Sequence, residues 1–115
     1  MRRVGMALWS VLVVTSCAMA TQITPALRSE MAPTGTLRVG LNYGNNLLVV
    51  SMTPEPRGVA PDLGRELGRR LGVPVEFVGF DSAGKLDDGV KTGAWDVAFL
   101  GNEPQRAAEI AFTAA

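Results

Sequence analysis

PDLGRELGRRLGVPVEFVGF, residues 61–80, decides the fold. Pro61 and Asp62 open a helix. Proline is tolerated in a first turn, where its missing N–H is no loss, and an acid there complements the positive end of the helix dipole. Leu63, Leu67 and Leu71 recur every fourth residue and give the helix one apolar face, while Arg65, Glu66, Arg69 and Arg70 fall mostly away from it. Gly72 is a C-terminal stop, and Pro74 follows it. Val75 to Phe80 then reads as a strand. Gly64 and Gly68 each cost the helix about 1 kcal/mol against alanine. Close packing of the helix on a sheet rationalises them.

The same alternation continues on both sides. Upstream, Leu37 to Leu41 alternates apolar with other residues and reads as a first strand. Asn42 to Asn46 is rich in turn formers, Leu47 to Met52 is a short extended piece, and Thr53 to Gly58 is a surface turn. Downstream, Asp81 or Ser82 caps a second helix, with Leu86 and Val90 on its inner face and Gly93 at its end. Trp95 to Leu100 reads as a third strand, fully buried by its composition, and Pro104 to Ile110 as another short helix. The order β-α-β-α-β places the chain in the α/β class, with a parallel sheet and right-handed crossovers. Ligands of such sheets bind at the carboxyl ends of the strands. Those ends are Asn42 to Asn46, Asp81-Ser82 and Gly101 to Arg106. No glycine-rich phosphate loop follows a strand, so nucleotide binding has no support.

Composition narrows the chemistry. Lysines plus arginines number 11 and so do the acids, without a basic block, which argues against a nucleic-acid partner. There is no histidine, so the commonest general base and metal ligand is missing. The one cysteine, Cys17, lies in the N-terminal apolar run, leaving the rest of the chain without a thiol nucleophile or thiolate metal site. Neither a metal nor a cofactor is expected.

Residues 1–20 have the layout of a secretory signal peptide: Arg2 and Arg3, an uncharged apolar run from Val4 to Cys17, then Ala18-Met19-Ala20 as a cleavage site. Val14-Thr15-Ser16-Cys17 also resembles a lipobox, in which Cys17 would carry a lipid anchor. Both routes lead out of the cytoplasm, to the periplasm. The expected organisation is therefore a signal peptide at 1–20, a leader segment at 21–35 and a partial binding lobe at 36–115.

Four stretches carry a family resemblance. Thr34 to Gly40 resembles the first strand of the family-3 extracellular solute-binding proteins, the polar amino-acid-type receptors of ABC importers. Arg57 to Leu63, Lys91 to Val97 and Arg106 to Thr113 resemble, in order, that family's entry to the first helix, its strand entry and its "R-a-x-x-i-x-F-t" stretch. The resemblance implies the first part of lobe one of a two-lobed type II periplasmic binding protein. It implies a small-molecule solute and a membrane permease as partners, and a fragment of the full fold.

By the same resemblance Arg106 pairs with a ligand carboxylate, for which a planar guanidinium fork is suited. Gly101, Asn102 and Glu103 stand where such receptors usually carry hydroxyls, and Asn42 stands where they often carry an acid. Those departures shift the expected solute toward a carboxylate without a strong demand for an amine. Tyr43 and Leu48 are candidates for the pocket wall, and Asn45 for a polar contact. The competing readings are a dehydratase-like enzyme of the same fold, with Asp81 and Glu103 as its acids, and a sensor ectodomain. The expectation is a binding protein and not an enzyme.

Overall fold

β1, Leu37–Asn42, is the centre of the molecule: Leu37, Val39 and Leu41 have no exposed surface. The structure, a computed structural model, describes residues 22–114. The stretch expected to be a signal peptide, with Cys17, lies outside those residues. Seven elements follow in order: α1 Pro25–Met31, β1, α2 Val59–Leu71, β2 Val75–Phe80, α3 Ala83–Thr92, β3 Val97–Ala98 and α4 Pro104–Ala107. The three strands form one parallel sheet in the order β2-β1-β3. Along β1 and β2 the register runs from Leu37 opposite Val75 to Asn42 opposite Phe80.

Side chains alternate across a strand, so β1 feeds two layers. Leu37, Val39 and Leu41 face one side, where they form the core with Ala32, Val49, Ala60 and Leu71. α2 covers that side. Gly40 faces the other, and a Cβ there would lie 2.6 Å from Leu86 of α3 and 3.0 Å from the Trp95 ring. The Trp95 ring is fixed in turn by its indole N–H, which donates to Leu86 O at 2.8 Å.

α2 meets the leucine-face expectation in part. Its buried residues are Ala60, Pro61, Gly64, Gly68 and Leu71, whereas Leu63 is 50% exposed. The glycines are the contact face: a Cβ on Gly64 would lie 3.0 Å from Val39 Cγ1, and one on Gly68 would collide with Val75. A helix that sits this low on a sheet has no room for leucine at its closest point, so Leu71 and Leu67 pack beside the glycines and only Leu63 is turned outward. The helix also begins at Val59, two residues before Pro61.

Two further elements depart from expectation. The leader contains α1, with the Thr24 hydroxyl capping it by accepting from Leu27 N at 3.1 Å. Arg28 Nε donates to Leu71 O at 2.7 Å and ties this helix to the end of α2. β3 is short, and Trp95 to Leu100 is half-buried instead of fully buried. It is the edge strand opposite β2, so among the described residues only one of its sides is paired.

An ion pair locks β3 to β1. Arg38 Nε and Nη2 donate to the Asp96 carboxylate at 3.1 and 2.7 Å, and Arg38 N donates to it at 2.9 Å. Asp96 N returns a bond to Arg38 O at 2.8 Å. Burial pushes the Asp96 carboxyl up, but the hydrogen bonds from Arg38 outweigh it and hold the group below the usual carboxylate range.

Candidate functional site

The loops at the carboxyl ends of β1 and β2 meet. Tyr43 N donates to Phe80 O at 2.9 Å and extends the ladder past the last paired residues. Gly44 then lies so close to the Asp81 carbonyl that a Cβ would collide with it. The asparagines shape this loop from within. Asn42 Oδ1 accepts from Gly44 N at 3.0 Å, and Asn45 Oδ1 accepts from Leu47 N at 3.0 Å. Both are side-chain-closed turns of the kind asparagine favours. Their oxygens are engaged by the backbone, which leaves the amide N–H groups as the ends available to a solute.

Tyr43 is 44% exposed. Its ring lies over Gly79, where a Cβ would come within 3.3 Å of Cδ1, and Met52 Cε lies 2.9 Å from the same point. The absence of a side chain at Gly79 therefore lets Tyr43 and Met52 rest on β2. Asp81 pairs with Lys85 at 2.6 Å, and that hydrogen bond holds the Asp81 carboxyl below its ordinary range. Ser82 caps α3, accepting from Lys85 N at 3.3 Å.

At the end of β3, Arg106 is held firmly. It is neither a solvated surface arginine nor an unengaged charge: its side chain is 16% exposed. Nε donates to Asp87 Oδ2 at 2.7 Å, and Nη1 donates to Gly101 O at 3.1 Å. Nη1 also pairs with Glu103 Oε1 at 3.0 Å. The hydrogen bond to Asp87 is the chief reason the guanidinium is raised above its ordinary value. Asp87 Oδ1 is buried without a hydrogen-bond partner among the described residues.

The expected site residues are not gathered into one cavity. Arg106 lines a groove of about 370 Å³ between α3 and α4, with Asp87, Asp88, Lys91 and Glu109. Gly101 and Leu48 line a second, apolar groove of about 690 Å³ along β3, which runs on to Phe112. Asn42, Tyr43, Asn45 and Asn102 line neither. Asn102 and Gly101 are exposed.

Asp87 is the residue that sequence reasoning missed. The signal was present: Ala83, Leu86, Asp87 and Val90 share the helical spacing of one inward face, buried at Leu86 and half-buried at the others, and a carboxylate on such a face needs a cation.

A parallel sheet whose strand ends present these loops matches a known architecture. The model of the bacterial extracellular solute-binding proteins, family 3, matches residues 37–115. The chain belongs to that family. A solved structure described as an ancestral cationic amino acid solute binding protein superposes with a TM-score of 0.60 at 28% identity. The match covers 70% of this chain and 36% of that one. No curated protein matches. The fold is thus a partial solute-binding lobe, and both the family and the structural neighbour are binding proteins.

Proposed function

We propose that this family-3 chain contributes the first part of the ligand-binding lobe of a receptor that delivers a small polar, carboxylate-bearing solute to the permease of an ABC importer. One observation carries the reading. Arg106 stands in α4, the short helix that follows β3, with its Nε fixed by Asp87 and its Nη2 without a partner among the described residues. A guanidinium so placed has one edge anchored and a second edge able to take a carboxylate. Asn42, Tyr43 and Asn45 at the end of β1, and Gly101 and Asn102 after β3, are the further candidates, each following a strand of the same parallel sheet. The enzyme reading has less behind it, since Asp81 pairs with Lys85, Glu103 is exposed beside Arg106, and the two acids share neither groove.

The reading is tested by calorimetric titration with amino acids and organic acids. Arg106→Ala should weaken the binding of a carboxylate solute by about 2 kcal/mol, because an unpaired carboxylate is left in a desolvated place. The low end of the range applies because Asp87 and Glu103 already neutralise part of the charge. Arg106→Lys should recover only part of the loss, since an ammonium lacks the planar fork. Unchanged binding in Arg106→Ala would make Arg106 a structural arginine.

A second reading follows from the groove beside Arg106. Asp87, Asp88 and Glu109 outnumber Lys91 and Arg106 there. That balance suits a solute with an added positive group, as the name of the structural neighbour describes for that protein. Lysine and arginine in the same titration distinguish it: they should bind more tightly than alanine and glutamate if it is right.

Export is the companion proposal, resting on the three-part N-terminus. Mass spectrometry of the protein from the cell envelope should find a chain beginning at Thr21, or a lipidated Cys17. An intact Met1 in a cytoplasmic fraction would overturn it.

A further inference from the structure

The carboxylates around Arg106 differ in how firmly they are held. Asp87 projects from the middle of α3, is 29% exposed, and meets Nε at 2.7 Å. Glu103 sits at the N-cap of α4, is 59% exposed, and meets Nη1 at 3.0 Å. Its side chain makes no capping hydrogen bond to the helix, so nothing else in α4 holds it there. An exposed ion pair of this kind contributes less than about 1 kcal/mol and exchanges readily with water. Asp87 is therefore the fixed partner and Glu103 the displaceable one.

The geometry gives the displaceable partner a consequence. With Nε committed to Asp87, a carboxylate that binds Arg106 in two-pronged fashion must use Nη1 and Nη2. Nη1 carries two N–H groups; it donates to Gly101 O at 3.1 Å and pairs with Glu103 Oε1 at 3.0 Å, so Glu103 contends for the side of Nη1 that Gly101 leaves. We propose that Glu103 is an internal competitor for the solute, its carboxylate taking the position on Arg106 that a ligand carboxylate must claim. The proposal rests on the reading of Arg106 as the carboxylate receiver.

A tethered group competes at a high effective concentration, in the millimolar range for short links. A bare monocarboxylate therefore loses to Glu103. A solute that also reaches other surface at the strand ends displaces it. Glu103 thus acts as a filter on selectivity: it raises the number of contacts a solute must make before it is accepted.

The test uses acetate as the probe, at constant ionic strength, and follows the Nε–H signal of Arg106 by nitrogen-15 NMR. Arg106→Lys identifies that signal by its loss. Glu103→Gln keeps the shape and removes the charge, and should tighten acetate binding by about three- to fivefold, the upper part of what an exposed ion pair contributes. Asp88→Asn is the control for charge alone, because Asp88 lines the same groove but pairs with Lys91 at 3.3 Å. It should change acetate affinity by less than about twofold, as a screened charge that makes no contact with the probe. Equal acetate affinity in wild type and Glu103→Gln, with the Arg106 signal moving in both, would overturn the competitor role and leave the reading of Arg106 standing. A gain in Asp88→Asn as large as that in Glu103→Gln would also overturn it, by showing a general effect of charge. If acetate moves the Arg106 signal in no variant, both the competitor role and the reading of Arg106 fall.

Discussion

Asp96→Ala is expected to lower the stability of the chain by about 3 kcal/mol, the low end of the cost of removing one partner from a buried ion pair. Asp96 is 7% exposed and Arg38 is 25% exposed, so water can reach the guanidinium left behind and soften the loss. What goes with the carboxylate is three hydrogen bonds from Arg38, one of them from its backbone. The backbone bond matters most, because Arg38 lies on the central strand and its N–H faces β3 with no other partner on that side. β3 itself is paired to β1 through only Val39–Val97 and Gly40–Ala98, so this ion pair is a large part of what holds the edge. Urea unfolding followed by circular dichroism measures the loss. Asp96→Asn keeps one acceptor and should fall between wild type and alanine.

The same group sets an acid limit. The folded-state Asp96 carboxyl lies below its ordinary value, so its contribution is complete above the unfolded value near pH 4. It is lost as pH falls through the lower, folded value. Wild type should therefore lose stability below about pH 4 more steeply than Asp96→Asn. Glu66 is held down further, to about 2, by its hydrogen bonds to Arg69 and Arg70. Its side chain is 41% exposed, however, and all three partners sit on the surface of α2. Screening by solvent makes its share of the acid dependence smaller, and Glu66→Gln should change the acid limb less than Asp96→Asn.

What the sequence made legible was the set of local signals. The cap at Asp81 or Ser82, which Ser82 fills, the Gly72 and Gly93 stops and the alternation in β1 and β2 act within a few residues, and each element formed where those signals lie. The family motifs led to the same architecture. What was not legible depends on the approach of distant segments. The leucine period of α2 located Leu67 and Leu71 on the packed face but not the closest contact, which Gly64 and Gly68 make because only there can the helix come close to Val39 and Val75. α1 was missed although Thr24-Pro25 is a cap followed by a first-turn proline, because the polar stretch around it hid the spacing of Ile23, Leu27 and Met31. Arg106 was legible as a candidate from the motif that follows the third strand, but its partner Asp87 belongs to another element, and no local rule joins the two.

Gly58→Ala tests the least obvious of these long-range demands. The stretch Thr53 to Gly58 reads as a plain surface turn, but Gly58 has φ +128° and ψ −177°, a region essentially closed to residues with a side chain. Its neighbours add a second constraint. A Cβ at Gly58 would lie 2.5 Å from Leu48 O and 3.0 Å from Val50 N, both backbone atoms that cannot rotate away. The segment from Leu48 to Val50 would have to move. That movement would break the bonds from Ala60 N to Leu48 O and from Val50 N to Arg57 O, and would draw Val49, 2% exposed, out of the core. Backbone strain of about 1–3 kcal/mol and the loss of packing act together, and the expected cost is about 3 kcal/mol or more. Gly84→Ala is the contrast within the same molecule. Gly84 lies in α3 with nothing within 4 Å of its added Cβ, so alanine there should stabilise by up to about 1 kcal/mol through helix propensity. Thermal unfolding of the two variants should move in opposite directions. If Gly58→Ala melts with wild type, the loop after β1 does not depend on the backbone geometry at its far end. The close approach of residues 48–50 to Gly58 would then not be what keeps Val49 in the core.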